Sequence, residues 1–186
     1  TLRKAENEYE LNPKAGRFTW DLEDNEKSSG RITNFLRRLG KLRRILTDNN
    51  TEAVLSFIGK NNFMSLLAVR GLDIPVFTSV RAKPELEYNR AWMKLMANML
   101  FPRSEALILQ TKEQGLFFSG RVQKKAVVLK NPMSPDFLIP PVSFEDREKK
   151  IVSVGRVDAN KNHRLLIDAF TKIASEYPDY TLDIIG

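Results

Sequence analysis

The sequence contains no cysteine, and among its 186 residues there is a single histidine, His163. The first absence excludes disulfides, thiolate nucleophiles and cysteine-ligated metals, and it fits a reducing compartment. The second excludes a multi-histidine metal centre. No apolar run approaches the roughly 20 residues of a membrane-spanning helix. Residues Thr1 to Glu10 offer neither an initiator methionine nor the apolar core of a signal peptide, so the start reads as a cut. Also missing is the interleaving of aromatic and basic residues on one exposed face that a nucleic-acid surface needs. Trp20, Trp92 and the 11 phenylalanines lie mostly on apolar stripes and read as core.

What remains is a chain with 42% hydrophobic residues, enough for a substantial core and too many for disorder. Its 30 Lys and Arg against 23 Asp and Glu give a net charge of +7, and the pI is about 9.7. Such a balance favours polyanionic neighbours: nucleic acid, anionic lipid or phosphate-bearing ligands. From about residue 30 onward, apolar runs alternate with helical patterns, the order that builds a mostly parallel sheet covered by helices. The expected fold class is α/β, with a Rossmann-like parallel sheet and flanking helices.

Before that point one short strand is expected at Arg17 to Leu22. A Ser28-Ser29-Gly30 start then opens a helix with Ile32, Phe35, Leu36, Leu39, Leu42, Ile45 and Leu46 on one stripe. Arg31, Arg37, Arg38, Lys41 and Arg44 belong to its other face. That cationic face suits either a membrane surface or plain water. Ala53 to Ile58 reads as a buried strand, Asn61 to Arg70 as a helix stopped by Gly71, and Ile74 to Val80 as the next strand. The pattern repeats as a helix from about Glu85 to Phe101, a strand over Ala106 to Gln110, a short helix from Lys112 to about Ser119, and a strand over Ala126 to Leu129. Pro132, Pro135, Pro140 and Pro141 make 131–149 a linker between folding units. A new strand–helix–strand follows: Ile151 to Gly155, a stripe from Leu165 to Tyr177, and Thr181 to Ile185. Three parts are therefore expected: 1–130, the linker 131–149, and 150–186. So small a final unit has two open sheet edges, which makes a homodimer an expected outcome.

The stretch from Val154 to His163 carries the chemistry. A strand runs into a loop and the loop into a helix N-terminus, so free amides and the positive end of the helix dipole converge where a phosphate would fit. Gly155 allows a tight turn, Arg156 offers a bidentate fork and Lys161 a compact point charge to diphosphate oxygens. The alternative is a plain turn whose Arg and Lys face water. Past other strand ends, Lys60, Asn61 and Asn62 can line a ligand cleft, or Asn61 or Asn62 can cap the following helix. Thr111 carries the same pair of readings. Arg81 ends the strand at Ser79-Val80, either facing a ligand or pairing with Glu85 or Glu87. His163 reads as an ordinary first-turn residue.

The run from Ile151 to Gly186, with Gly155-Arg156, Lys161-Asn162-His163, Leu165 to Phe170 and Asp183-Ile184-Ile185-Gly186, resembles the opening of the donor-binding domain of family 4, or group 1, glycosyltransferases. Ser56 to Ala68, Pro75 to Arg81, Phe101-Pro102-Arg103 and Ala106 to Thr111 resemble the acceptor-side domain of that family, and Asn131-Pro132 its crossover. The resemblance covers roughly residues 50 to 186. It implies a partial GT-B enzyme: an acceptor-side domain over 1–130, an interdomain linker, and the start of the donor-binding domain over 150–186. Such an enzyme moves a sugar from a nucleotide-diphosphate sugar to an acceptor hydroxyl, with retention and without metal or other cofactor. Gly155, Arg156 and Lys161 would bind the donor diphosphate, the last two acting catalytically. Lys60, Asn61, Arg81 and Thr111 would face the acceptor cleft.

The implied setting is surface-polysaccharide or glycan synthesis in a bacterium. A glycan or lipid-linked acceptor and a cytoplasmic location with peripheral contact to the inner membrane are expected. The family's glycine-rich acceptor-domain loop is absent, and its Glu-x7-Glu motif would lie beyond Gly186, so the chain alone is expected to be inactive or nearly so. Many members also carry a histidine at a strand end comparable to Ser79-Val80-Arg81. A non-catalytic nucleotide- or phosphate-binding module and a basic nucleic-acid-binding domain are the alternative functions.

Overall fold

Four short runs of aliphatic and β-branched residues form the strands β1 (Val54–Phe57), β2 (Val76–Ser79), β3 (Ala106–Leu109) and β4 (Ala126–Val128). They lie side by side in chain order and all run parallel, with Val54 opposite Val76, Phe77 opposite Ala106 and Leu107 opposite Ala126. Parallel neighbours require a crossover, and helices supply it. The computed structural model describes residues 12–18, 30–159 and 161–186. Most of the strand expected at Arg17 to Leu22, the Ser28-Ser29 helix start and Trp20 lie outside the described residues. The chain divides into two compact units, Thr1–Pro132 and Met133–Gly186.

In the first unit, helix α1 (Arg31–Asp48) begins at Gly30 and packs on α2 (Gly59–Ala68). Only part of its apolar stripe is covered. Leu46 is buried, whereas Ile32 and Leu36 stay exposed. Its cationic face also divides: Arg37, Lys41 and Arg44 are exposed, but Arg38 is half-buried. Arg43, on neither expected face, donates to the carbonyl oxygens of Ala68 at 2.7 Å and Arg70 at 2.8 Å. It thus satisfies carbonyls that the end of α2 leaves without intrahelical partners. The turn beyond α2 requires a glycine, because Gly71 has φ of 76°.

Three expectations are corrected. The strand expected to be fully buried, β1, lies at the sheet edge, with Leu55 and Phe57 exposed, because nothing pairs with its outer side among the described residues. The helix expected from Glu85 to Phe101 is broken into α3 (Pro84–Glu87) and α4 (Ala91–Leu100), followed by a 3-10 turn at Phe101–Arg103. Tyr88 leaves helical geometry so that its ring can enter the core. The helix expected from Lys112 to Ser119 is likewise two single turns, α5 (Lys112–Gly115) and α6 (Gly120–Gln123). Between them the adjacent Phe117 and Phe118 both turn inward, which one helical stripe cannot provide.

The core of this unit joins α2, β2, α4, β3 and α6 around the rings of Phe63, Tyr88, Phe101 and Phe118. Neighbouring centroids lie 5.6–6.0 Å apart, tilted or edge-on, the arrangement that ring quadrupoles favour.

From Leu129 to Lys149 the chain has neither strand nor α-helix, only 3-10 turns at Pro135–Phe137 and Phe144–Asp146. The second unit then holds β5 (Lys150–Val154), α7 (His163–Ile173) and β6 (Thr181–Ile185), with Lys150 opposite Thr181 in a parallel pair. None of these elements contains a buried residue; Leu166, Phe170, Leu182 and Ile184 are half-buried.

Candidate functional site

In the second unit the chain leaves β5 through Gly155, whose N–H donates to Ile185 O at 2.8 Å as the last rung of the ladder. Beyond it the loop folds on itself. The Asp158 N–H donates to Arg156 O at 2.9 Å, and the Lys161 N–H is shared between the main-chain and side-chain oxygens of Asp158, each 3.2 Å away. Asn162 then takes a left-handed conformation (φ 48°) to start α7, which asparagine tolerates better than most residues. Gly186 closes the other side: a Cβ there would lie 2.7 Å from Val157 Cγ2 and 2.9 Å from Gly155 O. Any side chain at that position would push the loop out of shape.

The structure brings Gly155, Arg156 and Lys161 together. The Lys161 chain lies across Gly155, with Cε 3.4 Å from the position a Cβ would take. Arg156 is almost fully exposed and pairs with Asp158 at 3.3 Å. A pair so exposed contributes little to stability, so the guanidinium can exchange Asp158 for a multiply charged anion at small cost. His163 has a definite structural contact: its Nε2 lies 3.2 Å from Arg156 O. A carbonyl only accepts, so we assign the proton to Nε2, and the ring braces the loop from the first turn of α7. Its Nδ1 is buried without a partner. Asp158 and His163 fall within the stretch the sequence singled out, but their contacts with Arg156 and Lys161 depend on how the loop closes and carried no sequence signal.

In the first unit, residues collect at the C-terminal ends of the strands. Arg81 donates to Asn131 Oδ1 at 2.8 Å and Leu129 O at 3.3 Å, and its guanidinium lies 5.8 Å from the Phe57 ring centroid. It therefore links the ends of β1, β2 and β4; these contacts, and not Glu85 or Glu87, are its partners. Thr111 caps α5 in a capping box: its hydroxyl accepts from the Gln114 N–H at 3.4 Å, and Gln114 Oε1 accepts from the Thr111 N–H at 3.3 Å. Neither Asn61 nor Asn62 caps α2, which starts two residues earlier than expected, with Ile58 at its N-cap. Asn61 is exposed, whereas Asn62 is fully buried and donates to Ser79 O at 3.0 Å.

Ile58 has φ of 72°, a region that a β-branched residue enters only under strain. That turn aims the Gly59 N–H at Glu87 Oε1, 2.5 Å away. Burial raises the Glu87 pKa above its ordinary value, and the Gly59 hydrogen bond offsets part of the rise. Next to it, burial, with the Glu87 charge second, pushes the Tyr88 phenol well up. The Asn62 side chain faces that phenol closely enough to hold its pKa down somewhat, yet no contact of the Tyr88 hydroxyl meets hydrogen-bond geometry.

Two cavities open here. One, of about 500 Å³ between α1, α2 and α4, has walls of Phe35, Phe63, Met64, Leu67, Trp92 and Met96, with Asn34, Arg38, Lys60 and Asn61 as its polar lining. The other, of about 290 Å³, is lined by Ile58, Gly59, Glu87, Asn89, Arg90 and Met93, and shares Lys60 and Trp92 with the first. Trp92 is 47% exposed at this junction, which corrects its reading as a core residue. Lys60 and Asn61 thus border one cavity together; Arg81 and Thr111 line neither of the two.

Four parallel strands flanked by helices define a mixed α/β fold of Rossmann-like type. Over 143 residues the chain is 22% identical to the GalNAc-alpha-(1->4)-GalNAc-alpha-(1->3)-diNAcBac-PP-undecaprenol alpha-1,4-N-acetyl-D-galactosaminyltransferase of Campylobacter jejuni. The match takes in 77% of this chain and 39% of the relative, so the chain spans about two fifths of the length of the curated relative it matches. It is a distant similarity to a glycosyltransferase. No protein-family model matches the chain. Among the described residues, no helix is long and apolar enough to cross a membrane, and no cluster of three or more His, Cys, Asp or Glu residues could hold a metal ion.

Proposed function

We propose that this chain belongs to a retaining, metal-independent glycosyltransferase of the GT-B type that uses a nucleotide-diphosphate sugar and a lipid-linked glycan acceptor. In this reading residues 1–130 are acceptor-side and 150–186 donor-side, and the enzyme works in the cytoplasm against the inner membrane. The observation that carries the reading is the loop between β5 and α7, where Arg156, Lys161 and the N-terminus of α7 gather beside Gly155. The similarity to a transferase whose name specifies a PP-undecaprenol glycan supports the acceptor class.

The reaction asks for charge stabilisation. The bond between the anomeric carbon and the diphosphate breaks, a bond to the acceptor oxygen forms, and the acceptor proton passes to the departing phosphate oxygen. Negative charge builds on the diphosphate as it leaves. Arg156 and Lys161 meet that charge, and removing one such group from a preorganised site costs about 10²- to 10³-fold in turnover. His163 keeps the carbonyl side of Arg156 in place and acts as a positioning residue.

The test is turnover of a nucleotide-sugar panel with an undecaprenyl-diphosphate-linked acceptor, using the protein as its gene encodes it. Wild type is compared with Arg156→Ala and Lys161→Ala. One donor consumed, with a loss of about 10²-fold or more in each variant and unchanged thermal unfolding, supports the reading. Tight nucleotide binding without transfer would replace it with a non-catalytic binding module, and salt-dependent RNA or DNA binding without nucleotide affinity would replace it with a nucleic-acid-binding domain.

A further inference from the structure

We infer that the two adjoining cavities of the first unit form one site for an amphiphile, its hydrocarbon chain between α1, α2 and α4 and its anionic, hydroxyl-bearing head beside Glu87, Asn89 and Arg90. The inference deepens the glycosyltransferase reading, because it gives the acceptor a seat within this chain. It names the occupant as a polyisoprenyl diphosphate bearing a sugar, recognised by its chain and its charge together.

The first observation is the contrast between the walls. The larger cavity, about 500 Å³, lies within the range of small-molecule sites and is walled by Phe, Met, Leu and Trp side chains. Among the described residues no carboxylate lines it. The smaller cavity is lined by a carboxylate, an amide and a guanidinium, groups that bind hydroxyls and phosphates. An apolar half and a polar half in contact match the two ends of an amphiphile.

The second observation is what stands at the junction. Lys60 and Trp92 line both cavities, and both are exposed. An ammonium at the point where chain meets head suits a diphosphate linkage, and an indole beside it offers an apolar face to the first sugar or isoprene unit. Arg38 on one side and Arg90 on the other make the surroundings cationic, against Glu87 as the one acid among the described lining residues. That acid is half-buried and engaged by the Gly59 N–H.

The third observation is the surface around the mouth. Ile32 and Leu36 on α1 and Leu95 and Met99 on α4 are exposed. They continue the stripes that Phe35 and Met96 begin inside the larger cavity. A chain too long for 500 Å³ therefore has an apolar path outward along two helices.

The experiment is calorimetric titration of the full protein with farnesyl diphosphate, below its aggregation concentration, alongside inorganic diphosphate, farnesol and vesicles containing anionic lipid. The inference expects farnesyl diphosphate to bind at least about tenfold more tightly than diphosphate or farnesol alone. Lys60→Ala should weaken it by about tenfold or more, the scale of one charge-assisted hydrogen bond. Met64→Trp, which fills the larger cavity, should weaken farnesyl diphosphate and leave inorganic diphosphate unchanged; far-UV circular dichroism and thermal unfolding verify that both variants fold. Equal affinity for farnesyl and inorganic diphosphate would overturn the inference, as would indifference to both substitutions. Binding to anionic vesicles alone would also overturn it, in favour of a surface contact. Nucleotide-sugar consumption in parallel separates the two claims. Hydrolysis of a donor without farnesyl diphosphate binding sinks the acceptor site alone, whereas binding without any donor use sinks the transferase reading alone.

Discussion

The two units are assembled from the same alternation of strand and helix, yet among the described residues the first buries thirteen hydrophobic residues in one cluster and the second, in β5, α7 and β6, buries none. Both have parallel ladders in good register, so local pattern and strand pairing are common to the two. What differs is coverage. In the first unit α2, α4 and α6 meet four strands, and the rings of Tyr88, Phe101 and Phe118 fill the space between them. In the second, one helix meets two strands; Leu166 and Phe170 become half-buried, while Val152 and Val154 remain exposed. A ladder can form from a short apolar run, but burial needs a second layer wide enough to exclude water.

The sharpest way to break this contrast is to truncate a ring in each unit. Phe101→Ala should cost about 3–5 kcal/mol, the range for a fully buried ring, whereas Phe170→Ala should cost about 1 kcal/mol or less. Urea unfolding followed by circular dichroism measures both, and equal losses would show that the second unit is as well packed as the first. A smaller effect is expected at Arg43, whose two hydrogen bonds tie α1 to the end of α2. Arg43→Ala should cost about 1–2 kcal/mol. Lys150, which pairs with Glu148 at 2.8 Å and Asp183 at 3.4 Å in solvent, should contribute far less than Arg43 when replaced by alanine.

Acid titration should separate the units by sign. Glu87 has a raised pKa in the folded protein, so the folded state holds its proton longer than the unfolded chain does, and stability falls as pH rises from about 4.5 through the folded value. Glu87→Gln should therefore stabilise above that window and change little below it, as a series of thermal unfolding curves would reveal. In the second unit the pattern is reversed: hydrogen bonds from Lys150 and Lys149 lower the pKa of Glu148 and Asp179. Their contribution is present above the unfolded pKa and is lost as pH falls through the folded one. The smallest expected effect concerns backbone strain. Ile58→Gly should stabilise the first unit by up to about 1 kcal/mol by relieving a β-branched residue from positive φ. Asn162→Gly in the second unit should change stability by only a few tenths, since asparagine already accepts that conformation.

Much of this architecture was legible from residues alone. Apolar runs of about four to seven residues marked each strand of the two sheets, and the loop after β5 stood out because Gly155, Arg156 and Lys161 fall within seven consecutive residues. Failures came where a side chain's destination outweighed its local pattern. Glu85 to Phe101 has helical spacing, but Tyr88 leaves the helix to join Phe63 and Phe101 in the core. Trp92 sits on an apolar stripe that faces a cavity instead of a neighbour. Glu87 read from the sequence only as a possible partner of Arg81, because the group it does bond, the Gly59 N–H, is 28 residues away.

By itself, then, the sequence determined the strands of both sheets, the parallel α/β class and the clustering of cations near strand ends, because these depend on period, turn chemistry and spacing within a few residues. Only the tertiary structure decided which apolar stripes found partners, where the strain at Ile58 is held, and that Lys60 and Trp92 share two cavities. Those outcomes rest on packing between segments distant in the chain, where volume and the exclusion of water, not local propensity, select the arrangement.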